Sequence, residues 1–299
     1  VCAPSRCALL TGKHTGRCYI RGNEGQMHGY DAGVYYDKAL AKGETTVAYV
    51  MKQAGYTTDC IGKWGLGGPN PEGHPNLHAL DDFFGYLGQA RAHHYYPEYI
   101  WENNERVVLD KEVYSHDLIM NRALEFIRAN AGEPFFLYLT PTLPHAELIV
   151  PPGELGDYDG VLEEKPYINN SGRGYGSQPK PRATYAAMVS RLDRGVGMVM
   201  KLLAELGLED NTLIIFTSDN GVHAEGGHDP YFFDSNGIYR GIKRDLYDGG
   251  IHVPFIVHYP GVVAPGSRCG HVSAFWDFMP TICELIGIEP PSGIDGISY

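Results

Sequence analysis

No apolar run in the 299 residues approaches the ~20 needed for a helix that spans a bilayer. Basic residues are few, 24 Lys and Arg against 36 Asp and Glu, a net charge of −12. Surfaces that bind nucleic acid broadly replace counterions with Lys and Arg, so this composition argues against that class. A small anionic ligand would need a local basic pocket instead. The six cysteines contain no Cys-x-x-Cys pair, which argues against a zinc ribbon or a thioredoxin-type site. If one of the six is modified, an odd number remains, and a complete disulfide framework is not indicated. No internal repeat or low-complexity linker interrupts the chain, so one large α/β domain over residues 1–299 is expected. No initiator Met or leader is visible, and the chain reads as a fragment.

What is present reads as a globular core, with 43% hydrophobic and 20% charged residues. Periodicity and stop signals predict helices over 45–54, 112–130, 182–206 and 275–286. They predict strands over 56–61, 135–140, 212–217 and 254–259. Strands alternating with helices imply a mostly parallel mixed sheet sandwiched by helices. Ligands of such sheets bind beyond the carboxyl ends of the strands. Lys63, His145, Asp219 and Asn220 each follow a predicted strand, so they should gather at one sheet edge. Two long Gly- and Pro-rich segments, 62–78 and 147–181, read as functional or mobile loops.

The chain opens with Cys2-Ala3-Pro4-Ser5-Arg6, followed by Ala8-Leu9-Leu10-Thr11-Gly12. Pro4 suits a first helical turn and Gly12 a helix end. Cys2 would then sit at a helix N-terminus, where free N–H groups and the dipole favour an anion. Arg6, one turn along, adds a positive fork. Two readings fit equally: a reactive side chain facing a tetrahedral oxyanion, or a small buried cysteine.

The run Cys-x-Pro-Ser-Arg with Leu-Leu-Thr-Gly behind it resembles the sulfatase signature. Gly62-Lys63-Trp64, Pro144-His145, Ser218-Asp219-Asn220-Gly221 and Gly249-Gly250-Ile251-His252-Val253-Pro254 follow in sulfatase order. The resemblance implies an alkaline phosphatase-like fold and hydrolysis of aryl or carbohydrate sulfate monoesters. It implies that a maturation enzyme oxidises Cys2 to formylglycine. The hydrated aldehyde would attack sulfur through one hydroxyl and release sulfate through the other. It favours a periplasmic or secreted location.

The family pattern assigns further roles. Asp219 and Asn220 match ligands of a divalent cation, Ca²⁺ or else Mg²⁺, and hard oxygens suit either. On its own, Asp-Asn-Gly is also an ordinary turn sequence. Lys63 and Lys243 match basic residues around the sulfate, although an isolated lysine is usually a solvated charge. His145 matches a histidine that protonates the leaving oxygen or binds sulfate. The family also carries an Asp pair on a first strand ahead of the cysteine. The expectation is that this strand and a C-terminal part lie outside the chain, leaving the metal shell incomplete.

One position departs from the pattern. Many sulfatases have a histidine after Gly-Lys-Trp, expected to handle a proton on the hydrate, and Gly65 stands there. His93, His94, His223 and His228 are candidate substitutes. The aromatic run 91–101 reads as a loop that either stacks on a ring of the substrate or covers the sheet edge. A phosphoesterase or phosphonate hydrolase on the same fold, and a non-catalytic fragment that keeps the fold, are the competing readings.

Overall fold

The computed structural model describes residues 1–27, 35–69, 72–172 and 174–299. Helix α1 (Cys2–Thr11) leads into the short antiparallel pair β1 (Gly25–Met27) and β2 (Tyr35–Asp37). Then come α2 (Val47–Gln53), β3 (Thr57–Lys63), β4 (Asp82–Tyr86), β5 (Tyr99–Glu102), β6 (Glu105–Val108), α3 (Ser115–Ala129) and β7 (Phe135–Thr140). The second half holds α4 (Pro181–Glu205), β8 (Ile214–Thr217), the single turn α5 (Asp248–Ile251), β9 (Phe255–His258) and α6 (Phe278–Leu285).

Five strands form a mixed sheet in the order β6-β5-β4-β3-β7. Its heart, β4-β3-β7, is parallel, and β5 and β6 add an antiparallel margin. The fold is therefore α/β with a mixed sheet, as expected. Side chains alternate along the strands, so each face buries its own set. Cys60, Phe83, Phe136 and Tyr138 pack with α1 residues Ala3, Cys7, Ala8 and Leu10. Ile61, Phe84, Leu137 and Leu139 pack with Ile119, Ala123 and Ile127 of α3 and with Leu202 and Leu203 of α4. Helices thus cover both faces.

Two features differ from the sequence reading. Strands β8 and β9 pair antiparallel with each other, as a separate two-stranded sheet. A parallel pair needs a crossover of a dozen or more residues, usually a helix. The stretch between β8 and β9 instead folds as loops with only the four-residue α5. The run 91–101 is also not a single loop: its end is β5, where Tyr99 and Trp101 are buried in the core. The Arg106 guanidinium lies over both rings. These two rings belong to a strand inside the sheet and pack in the core, a place that neither reading of the run gave them.

The carboxyl ends of the three parallel strands pinch together. Gly62 of β3 is in register with Gly85 of β4 and Thr140 of β7. A Cβ on Gly85 would overlap the Gly62 carbonyl, and one on Gly62 would overlap the Thr140 carbonyl. Both glycines have positive φ, 144° and 121°. Only glycine permits this approach at little steric cost.

Candidate active site

Helix α1 begins at Cys2 and ends at Gly12, which takes the left-handed conformation at φ 66°. Cys2 is buried, and its Sγ lies 3.8 Å from Asn220 Oδ1. Arg6, one turn on, does not project a free fork toward an anion as the sequence suggested. Its Nε and Nη2 donate to Asp219 Oδ2 at 3.1 and 3.0 Å, and its Nη1 donates to the Lys63 carbonyl at 2.6 Å. That guanidinium ties α1, the end of β3 and the end of β8 into one corner. Burial would push the Asp219 carboxyl up; Arg6 and Lys63 outweigh it and hold the group at about 2.

Lys63 closes β3 and is 2% exposed. Burial pulls its ammonium below the ordinary lysine range, and Arg6 adds to that, against the opposing pull of Cys2, Asp219 and Asp37. Asp37, at the end of β2, is raised to about 6 by burial, despite Lys63 and Arg6 nearby.

The second half of the pocket comes from loops beyond β7 and β8. Gly221 N–H donates to the Gly250 carbonyl at 3.0 Å, and Lys243 N–H donates to the Val222 carbonyl at 2.7 Å. These bonds fold 239–250 against 219–225 and bring Lys243 to His145. Lys243 Nζ donates to His145 Nε2 at 2.7 Å and to Glu225 Oε2 at 2.9 Å. His145 Nδ1 is 2.5 Å from the Ala146 carbonyl, so that nitrogen carries the proton and Nε2 is the acceptor. Burial, with Lys243 and Lys63 adding to it, pulls the imidazolium down to about 3, so His145 is neutral at pH 7.

Glu225 was not anticipated from the sequence. It accepts from Lys243 and, at 2.6 Å, from Arg244. Its only signal was a carboxylate a few residues beyond Asp219-Asn220. Gln89 was also missed, and it carried no signal.

The candidate histidines separate. His93 stacks on His145, with ring centroids 4.0 Å apart and planes 6° from parallel. Its Nε2 is buried with no partner among the described residues. His223 also stacks on His145, but both its nitrogens are engaged, with the Pro144 carbonyl and the Glu225 N–H. His228 lies against Tyr185, farther out. His94 is exposed and faces Glu147.

For a divalent cation the described residues offer Asp219 and Asn220. Their oxygens are of the hard type that Ca²⁺ and Mg²⁺ take, but Ca²⁺ needs six or more. Among the described residues no group of three or more His, Cys, Asp or Glu is placed to hold a metal.

Taken together, this is an α/β protein in which Cys2, Arg6, Lys63, Asp219 and Asn220 meet at one corner beyond the strand ends, with Lys243 paired to His145 and Glu225 in the adjoining loops. The family model described as Sulfatase matches residues 1–288. The chain belongs to the sulfatase family. It is 30% identical to human N-acetylgalactosamine-6-sulfatase, over 100% of this chain and 56% of that protein. It is 26% identical to rat steryl-sulfatase, over 99% of this chain and 61% of that protein. The chain thus spans little more than half the length of these curated relatives. Among solved structures, Ps i-CgsB in complex with k-i-k-neocarrahexaose superposes with a TM-score of 0.78 at 26% identity, over 99% of this chain and 64% of that one. The phosphonate monoester hydrolase SpPMH from Silicibacter pomeroyi superposes with a TM-score of 0.69 at 20% identity, over 100% of this chain and 66% of that one, a likeness of fold alone. No described helix is long and apolar enough to cross a membrane.

Proposed function

We propose that this chain carries the catalytic pocket of a sulfate-ester hydrolase acting on sulfated glycans or aryl sulfates. The observation that carries the reading is the convergence on Cys2 of Arg6, Lys63, Asp219 and Asn220, with Lys243 and His145 completing the pocket. Cys2 is the residue that a maturation enzyme oxidises to formylglycine. That group supplies a hydrated aldehyde, one hydroxyl for attack on sulfur and a second for expulsion of sulfate.

The chain's own residues then divide the work. Lys63, held dry, neutralises sulfate oxygens, where a fixed charge acts more strongly than in water. Arg6 fixes Asp219 and the Lys63 backbone, and so the shape of the corner. Lys243 is the proton-bearing group beside the leaving alcohol oxygen. His145, neutral with Nε2 as acceptor, and Glu225 hold the Lys243 ammonium in place. Asp219 and Asn220 would hold part of the shell of a Ca²⁺, or Mg²⁺, ion. Such an ion polarises sulfate oxygens when bound.

The sulfated-sugar reading draws support from the relatives' names. One is an N-acetylgalactosamine-6-sulfatase, and one solved neighbour, BT4656, is in complex with its substrate D-Glucosamine-2-N, 6-O-disulfate. The test has two parts. Peptide mass spectrometry after co-expression with a maturation enzyme should find an aldehyde at Cys2. Paired assays with a sulfate and a phosphate monoester of one aryl alcohol should favour the sulfate. A free thiol and a phosphate preference would transfer the assignment to the phosphoesterase reading.

A further inference from the structure

Gln89 is 8% exposed, and its N–H donates to Asp37 Oδ2 at 2.8 Å. Its carboxamide is different. Both Oε1 and Nε2 are buried and lack a hydrogen-bond partner among the described residues. The amide stands where residue 65 has no side chain. A Cβ on Gly65 would lie 3.0 Å from Gln89 Nε2 and 3.6 Å from Lys63 Cε. Gln89 therefore reaches across the Gly65 gap toward the ammonium-bearing end of Lys63.

A buried amide with neither group bonded is destabilising, and native interiors rarely keep one without a use. A methionine would fill the same space without that cost. The geometry points to Gln89 as a substrate-positioning residue of this pocket. Its Nε2–H donates to an oxygen of the tetrahedral anion that Lys63 neutralises, and its Oε1 accepts from a hydroxyl on the bound group. The inference rests on the oxyanion reading of the same site. An amide suits the place because it is at once donor and acceptor. It also adds no charge between Lys63 and the buried Asp37.

The variant is Gln89→Met in the whole protein, compared with wild type in three measurements: thermal midpoint, calorimetric affinity for inorganic sulfate, and kcat/KM on an aryl sulfate. The midpoint should stay level or rise, because an unpaired amide has been removed. Sulfate affinity and kcat/KM should each fall about 10- to 100-fold, the range for a lost hydrogen bond to a charged group. Gln89→Asn, shorter but still an amide, should recover part of that loss. A midpoint several degrees lower with wild-type affinity and turnover would make the amide structural and overturn the inference. Wild type that binds inorganic phosphate and not sulfate, with that affinity lost in Gln89→Met, would keep the positioning role and remove only the sulfate reading.

Discussion

Replacing Glu225 with glutamine tests the polar half of the pocket. Glu225 is 16% exposed at its side chain and accepts from both Lys243 and Arg244. Burial alone would raise its carboxyl; the hydrogen bond and charge of Lys243, with Arg244 and His145, bring it from 4.5 down to about 2. At 1.36 kcal/mol per pH unit, that difference is roughly 3 kcal/mol of stability at pH 7. Glu225→Gln keeps the shape and an acceptor oxygen but removes the charge, and leaves Lys243, 4% exposed, without its anion. For a chain of this size the midpoint should drop by about 6 °C at pH 7. The sign with pH follows from the depressed value. The contribution is whole above pH 4.5 and is lost as pH falls through about 2. The gap between wild type and variant should therefore more than halve by pH 3. Thermal unfolding of both proteins at pH 7, 4 and 3 reads it directly. A gap that stays constant across this range, or no gap at pH 7, would refute the charge argument.

Cys2→Ala should abolish turnover on an aryl sulfate and leave the circular dichroism spectrum unchanged, since Cys2 heads α1 and alanine fits a buried helical position. Lys63→Met should lower kcat/KM by about 10²- to 10³-fold, with a midpoint that holds or rises, because a desolvated ammonium is replaced by apolar volume. Gly85→Ala should destabilise by about 3 kcal/mol or more and cut soluble yield, because its Cβ meets the Gly62 carbonyl at a φ of 144°. Unchanged yield and midpoint in that variant would show that the strand ends can separate.

The elements with long, strong periodicity were legible. The helices predicted over 112–130 and 182–206 are α3 and α4, and the strand predicted over 135–140 is β7. The rule that ligands sit beyond strand ends holds for Lys63 and His145, which follow β3 and β7 of one sheet; Asp219 follows β8 of a separate sheet and is joined to Lys63 through Arg6. Strands β5 and β6 were less visible because the aromatic run drew the reading toward a loop. Their turn signal was present all the same: Asn103-Asn104 joins them, with Asn103 at φ 50°. The antiparallel pairing of β8 with β9 depends on how 218–253 folds, which no local pattern records. Arg6 was recognised, but its fork is spent on Asp219, 213 residues away. The contact of Lys243 with His145 spans 98 residues, and that of Gln89 with the Gly65 gap arises from missing atoms rather than present ones. Spacing within a segment cannot report such meetings.

The pinch at Gly62 and Gly85 bears on how this pocket can diverge. Where three strands meet backbone to backbone, a mutation has no side chain to exchange and no room to add one. Variation that survives must therefore fall outside that floor, in the segments after each strand. There, His93 and Arg244 sit in the segments that follow β4 and β8. A lineage carrying this fold can change those segments one at a time while the strand ends stay where two hydrogen atoms fix them.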